Sequence, residues 1–351
     1  MLLAAGGVSA QLPDSLADDD FRDLIEALSE AEGRFPPQYM SNEDSLQFVM
    51  PELVERAGSG GVYIGVGSEQ NFTYMAALHP SLAFIVDIRR DNLLQVLLYK
   101  ALFEISPDRA TFVARLFARS RAERFDSNAG VAALFAAFAD QPSDGEIYES
   151  TRAEVLANLN EKHGFDLGAE DIAGIGRILE VFRDAGPNGL KGLGDPTNPS
   201  FAELMAATDL EGKTWGFLAS EASYNAIRQL HSKNLIIPVV GDFAGDRALP
   251  GIGSFLEDRA AVVHVFYVSN VERYLWEQGE HGLNFYANLA VLPHDDRSLF
   301  VRSVTSDISI RLGIPIPEQP AKWRTFVTPI QADLDAIESG RIASYRGLFI
   351  R

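Results

Sequence analysis

The stretch Val62-Tyr63-Ile64-Gly65-Val66-Gly67 is an apolar run ending in glycines, and a second apolar run, Ala83-Phe84-Ile85-Val86-Asp87-Ile88, follows closely behind it. Short runs apolar on both faces and bounded by glycine or acid are the pattern of buried strands. Residues 73–78 between them read as a short helix stopped by His79-Pro80, and residues 92–104 as a longer one carrying Leu93, Leu94, Val96, Leu97, Ala101 and Leu102. Strand, loop, helix, strand, helix in so short a span calls for a parallel sheet, because parallel neighbours need a crossover that a hairpin turn cannot supply.

The rest of the chain extends this pattern with one long interruption. Residues 18–32 and 45–57 have helical spacing, ended by Phe35-Pro36-Pro37 and by Gly58-Ser59-Gly60-Gly61. Between 106 and 210 no strand is legible. Residues 111–124, 131–138, 147–159 and 171–183 are helical in period, and 185–200 is the most loop-like segment. Alternation then resumes: helix 222–231, strand 235–240, helix 253–258, strand 261–268, helices 272–278 and 283–290, and strand 299–304, with mixed structure over 323–337. The expected fold is α/β, a doubly wound and mostly parallel sheet. It divides into an N-terminal helical segment (11–60), a sheet domain (61–105 and 211–351) and a helical insertion capping it (106–210).

Composition narrows the chemistry. Of the 351 residues 46% are hydrophobic and 23% charged, as in a globular protein with a full core. The net charge of −19 opposes binding to phosphate backbones and anionic lipid, so no nucleic-acid partner is expected, and no stretch approaches the ~20 apolar residues of a membrane span. The cluster Arg115, Arg119, Arg121 and Arg124 reads as the solvated face of a helix. With no cysteine, disulfides, thiolate nucleophiles and iron–sulfur clusters are excluded, and the six histidines form no paired metal spacing. Residues 1–10, MLLAAGGVSA, are small and apolar. Val8-Ser9-Ala10 is placed like a signal-peptidase site, which points to a periplasmic or secreted protein; the alternative is a plain apolar end on a cytoplasmic one.

Gly65 and Gly67 follow a strand and precede a helix, where absent Cβ atoms let the backbone turn sharply and approach a ligand. Asp87 ends the next strand, the position from which an acid reaches ribose hydroxyls across the crevice. Gln70 stands where a dinucleotide fingerprint has its third glycine, which argues against a nicotinamide oxidoreductase. The whole resembles class I S-adenosylmethionine-dependent methyltransferases, a Rossmann-type fold. Three later segments keep the order: Val239-Val240-Gly241-Asp242-Phe243, Val265-Phe266-Tyr267-Val268-Ser269-Asn270-Val271, and the strand at 299–304. The pairing VYIGVGSEQNFTY…FIVDIRR is also similar to a bacterial family built around it.

The resemblance implies S-adenosylmethionine as cofactor, with Gly65, Gly67, Glu69, Asp87 and Asp242 holding it and Asn270 and Tyr267 beside the small-molecule methyl acceptor. Two departures stand out: Tyr63 and Ile64 replace the usual acid near the glycine motif, and Glu69 takes the place of its last glycine. Each residue has a plainer reading. The glycines shape a tight turn, Asp87 joins Arg89 and Arg90 in a charge cluster, Asp242 and Asn270 cap, and Tyr267 packs inside the sheet. Glu221, Tyr224 and Asn225 open a helix placed to roof the site, and His294-Asp295-Asp296 reads as an exposed turn. The competing function is a non-catalytic extracytoplasmic binding or structural protein that kept the fold and lost the cofactor.

Overall fold

The computed structural model describes residues 11–121, 125–313 and 320–349. The signal-like residues 1–10 and Arg124 lie outside them. Six strands form one sheet: β1 (Val62–Gly65), β2 (Leu82–Asp87), β3 (Ile236–Val240), β4 (Val263–Ser269), β5 (Leu299–Thr305) and β6 (Trp323–Pro329), in the order β3-β2-β1-β4-β5-β6. All neighbours are parallel except β5 and β6. The order reverses between β1 and β4, where strand ends part and leave a crevice. β1, β2 and β3 are buried at every residue, as parallel strands covered by helices on both faces must be. Pro238, which has no N–H to give, sits on edge strand β3.

The stretch at 323–337 resolves into the antiparallel strand β6 and helix Ile330–Glu338. β6 is only half-buried, so it lacks the continuous apolar run that marks the inner strands.

Residues 29–49 correct the expected N-terminal helical segment. Helix Asp18–Leu28 ends before Ser29, and the chain then runs as a strap along the strand tips. Backbone donors stitch it down: Glu30 N–H to Val240 O (2.9 Å) beside β3, and Gly33 N–H to Ile88 O (2.8 Å) after β2. Edge strand β3 is thereby covered rather than left open. Helix Asp18–Leu28 is anchored by His163, whose ring nitrogens meet Asp18 (2.6 Å) and Glu104 (2.7 Å).

Residues 106–210 hold helices Arg109–Leu116, Val131–Ala136, Gly145–Ala157, Ala169–Gly189 and Phe201–Ala206 and, among the described residues, no ladder strand. The first is shorter than its periodicity suggests, since Ala118 takes a left-handed φ of 48° just past its end. Arg119, expected on a solvated face, is buried and donates to the carbonyls of Phe117 and Arg183, while Arg115 and Arg121 pair with Glu154 and Asp108. The insertion packs on helix Arg90–Ile105 through a knot of aromatic rings that includes Tyr99, Phe103, Phe112 and Phe217.

His231 lies in that knot, stacked on Phe103 at 5.1 Å, with neither ring nitrogen hydrogen-bonded. Burial, aided by the nearby Lys100 charge, pushes its pKa down to about 3 from an ordinary 6.5. Between those values the unfolded chain binds a proton that the folded chain refuses, so this group's contribution to stability is lost as pH falls through that window. His231→Phe keeps the ring and removes the proton. From pH 6.5 down to 4.5 its stability relative to wild type should gain about tenfold in the folding equilibrium per pH unit, read from denaturant midpoints. A constant difference across that range would show that the folded chain does protonate His231.

Candidate functional site

A crevice of about 620 Å³ opens over the carboxyl ends of β1 to β5, within the size range of small-molecule pockets. Its walls come from the strand tips, the 34–43 strap, the 193–198 loop of the insertion, and residues 322, 323 and 345. The loop-like segment expected at 185–200 therefore reaches the site, although helix Ala169–Gly189 continues into it across a kink at Gly186. Lys322 ties that loop to the start of β6 by donating to Asn198 Oδ1 (2.7 Å).

The glycine-rich loop divides in two. Gly67 lines the crevice with φ of 80°, a conformation that glycine alone adopts freely. Gly65 does not line it. A Cβ there would fall 1.9 Å from Asn71 Oδ1 and 2.8 Å from the Tyr63 ring, so this glycine makes room for the chain's own side chains. Those side chains shape the loop: Tyr63 Oη donates to Asn71 Oδ1 (2.8 Å), and Asn71 Nδ2 donates to Val66 O (3.0 Å) and Ser68 O (2.8 Å). Gln70 lines the crevice and carries a buried Oε1 without a hydrogen-bond partner.

Glu69 also stands outside the lining. Its carboxylate accepts from Ser41 N–H (2.8 Å) and Ser68 Oγ (2.8 Å), fastening the strap. Burial raises its pKa to about 7 against the lowering effect of those bonds.

Asp87 lines the crevice and is clasped by Arg89: Oδ1 accepts from Arg89 N–H and Nε (2.9 Å each) and Oδ2 from Nη2 (2.8 Å). Three of the four lone-pair directions of the carboxylate are taken, and one on Oδ2 is left. Arg90 leaves the expected cluster and pairs with Asp171 instead. Asp242 caps its own turn, Oδ1 accepting from Ala244 N–H (2.9 Å), while also lining the crevice.

At the end of β4, Ser269 adopts φ of 53°, strained for a residue with a side chain, and the ladder to β5 slips between Tyr267 and Ser269. That bend aims Ser269 and Asn270 into the crevice. Asn270 precedes helix Val271–Glu277 but its side chain makes no cap bond. Tyr267 is fully buried against Tyr74 at 5.1 Å, and its hydroxyl lies among Glu43, Ser269 and Gln70 at the crevice wall.

Behind this wall lies an ion cluster. Arg302 holds Glu272 through Nε (2.5 Å) and Nη2 (3.0 Å) and Asp333 through Nη1 (2.5 Å), all three side chains at most 2% exposed.

Other expectations settle elsewhere. Tyr224 is buried, donating to Ser106 O (2.8 Å), and Glu221 pairs with Arg109 (3.0 Å), so their helix binds the insertion and does not roof the crevice. His294 is held in its turn by Leu292 O and Gln331. Among the described residues no group of three His, Asp or Glu could hold a metal, and no helix is long and apolar enough to cross a membrane. The expected cluster of Asp87 with Arg89 holds, though buried rather than on the surface, while Glu43, Asn71 and the whole strap were not read from the sequence. A carboxylate inside the apolar-flanked Met40–Met50 stretch was the one available sign of Glu43.

No curated protein matches the chain. Residues 39–339 match the model of a family described as Domain of unknown function (DUF7790), a span that takes in every strand and nearly all of the crevice. With most of its length inside that match, the chain belongs to the DUF7790 family.

Proposed function

We propose that the crevice binds S-adenosylmethionine or a related adenosine ligand and that the protein is a methyltransferase acting on a small molecule. The observation that carries this reading is the convergence of Gly67, Asp87, Asp242 and Asn270, each from a different strand end, on one crevice at the point where strand order reverses.

The donor set fits the group in most places. Asp242 keeps Oδ2 free for an amino group on the base, and Asp87 keeps one lone pair for a ribose hydroxyl. Gln70 Oε1, buried and unpartnered, offers the amino-group acceptor that Tyr63 and Ile64 do not. Glu69, turned toward Ser41, leaves the ligand's carboxylate unopposed. When bound, S-adenosylmethionine supplies an electrophilic methyl group. The protein's part is to hold two ligands in line and keep water out, with Asn270 orienting the acceptor.

Calorimetry with S-adenosylmethionine and S-adenosylhomocysteine tests this, and absence of binding by both at millimolar concentration would overturn it. Asp87→Ala should weaken binding about tenfold or more, the scale of a charge-assisted hydrogen bond at about 1.5–3 kcal/mol. Undiminished affinity would remove the ribose assignment. One observation favours the second reading, a binding protein that has lost the cofactor: Arg89 already occupies most of Asp87. That reading requires no affinity for either compound.

A further inference from the structure

Glu43 lines the crevice between the ends of β4 and β5 and is only 2% exposed. Its carboxylate accepts from the hydroxyls of Ser269 and Ser303. Ser303 contacts Thr325 Oγ1 (3.1 Å), which meets Ser45 Oγ (2.7 Å), a chain of buried hydroxyls that fixes the carboxylate from behind. The titratable groups around it are Asp44, Tyr63, Tyr74 and Tyr267. None is a cation, and among the described residues no Lys, Arg or His forms an ion pair with Glu43. The cations nearby have other partners, Arg89 on Asp87, Arg273 on Glu277 and Lys322 on Asp195. A buried carboxylate without a countercharge costs several kcal/mol, and burial accordingly raises the pKa of this one.

Two further observations point from this wall to a ligand. Trp323 Nε1, buried and on a crevice-lining residue, has no hydrogen-bond partner, while the buried Tyr267 hydroxyl lies against Glu43, Ser269 and Gln70. Aromatic rings also line this crevice: Phe35 of the strap meets Tyr274 edge-on at 5.2 Å, Tyr345 joins them, and Trp323 donates its backbone N–H to Asp44, the residue next to Glu43. A carboxylate without a cation, in a crevice lined by aromatic rings, is a recognition site for an ammonium group carried on an aromatic body.

We propose that Glu43 is the docking carboxylate and proton acceptor for an arylalkyl amine, which would be the acceptor substrate of this crevice. The inference rests on reading the crevice as a two-ligand site. The protonated amine pairs with Glu43 and Tyr267 Oη. One N–H bond then breaks, the proton passes to a carboxylate oxygen of Glu43, and the bonding pair stays on nitrogen as the lone pair that a nucleophile needs.

The test is calorimetry of the full chain with tyramine and its uncharged analogue 4-ethylphenol, at saturating S-adenosylhomocysteine. Tyramine should bind at least tenfold more tightly than 4-ethylphenol. Glu43→Gln should lose that preference while keeping S-adenosylhomocysteine affinity within twofold, and its melting temperature at pH 8 should equal or exceed that of wild type. A purely structural Glu43 would instead lower the melting temperature and leave the preference intact. Should Glu43→Gln fail to fold, Tyr267→Phe is expected to weaken tyramine severalfold with S-adenosylhomocysteine unmoved. Failure of tyramine where S-adenosylhomocysteine binds overturns the inference alone. Should S-adenosylhomocysteine itself not bind, the cofactor reading falls; tyramine binding to the ligand-free chain that depends on Glu43 would then sustain the amine site, and its absence would end it.

Discussion

Arg302→Met is expected to lower the stability of the protein by about 3–5 kcal/mol, the range for removing one partner from a buried ion pair. The guanidinium is the shared cation of Glu272 and Asp333, and neither carboxylate reaches solvent. Tyr286 Oη and Thr328 Oγ1 also contact the cluster, so the loss leaves a polar set that water cannot enter to repair. Urea midpoints measure the effect. A variant combining Arg302→Met with Glu272→Gln and Asp333→Asn should regain much of it, since the charges then vanish together. A loss below about 1 kcal/mol for the single change would show that water or a shifted proton relieves the carboxylates. The consequence also reaches the crevice, because Glu272 opens the helix that carries Arg273 and Tyr274 into the lining.

Gly65→Ala should destabilise the chain by about 1–3 kcal/mol and weaken ligand binding as well, although Gly65 does not line the crevice. The new methyl group would overlap Asn71 Oδ1 and press on the Tyr63 ring, and Asn71 is the side chain that holds Val66 and Ser68 in place. Adding Asn71→Ala relieves the overlap but leaves the loop carbonyls unheld, so the double variant should recover stability more than binding. Equal recovery of both would mean that the loop keeps its shape without Asn71. Denaturation and S-adenosylhomocysteine titration of the same samples separate the two effects.

The contrast between Gly65 and Gly67 shows how far the residues alone could be read. The strands β1, β2 and β3 were legible because each is an apolar run closed by, or leading into, a glycine or an acid that marks its tip, whereas β4 and β5 carry the buried polar residues His264, Arg302 and Ser303 within otherwise apolar runs. Which glycine faces the crevice was not legible, since that depends on Asn71 folding back over Gly65, a contact set by the helix that follows. Asp87 was legible with Arg89 as a charge pair at the strand end, but not its burial, which depends on the strap above it, with Gln38 O accepting from Arg89 Nη1 (3.0 Å). The strap itself has no period because it forms no element; its order comes from hydrogen bonds to strand tips far along the chain. β6 escaped for a related reason. As a half-buried strand it alternates weakly and ends at Pro329, where helix Ile330–Glu338 begins.

The hydroxyl cage of Glu43 also bears on how the molecule is made. Its members come from residues 45, 269, 303 and 325, so as the ribosome feeds the chain out from its N-terminus the carboxylate and Ser45 emerge early, and the two hydroxyls that bond the carboxylate, Ser269 and Ser303, emerge late. Through most of synthesis β1, β2 and the insertion can assemble, while Glu43 must stay in water because no cage exists to receive it. Burying the Glu43 end of the strap is therefore a late event, coupled to the arrival of β4 to β6, although the strap's bonds to the tips of β1, β2 and β3 can form earlier. A nascent or truncated chain would carry an open crevice, and the pocket takes its final form only once the far end of the sheet is in place.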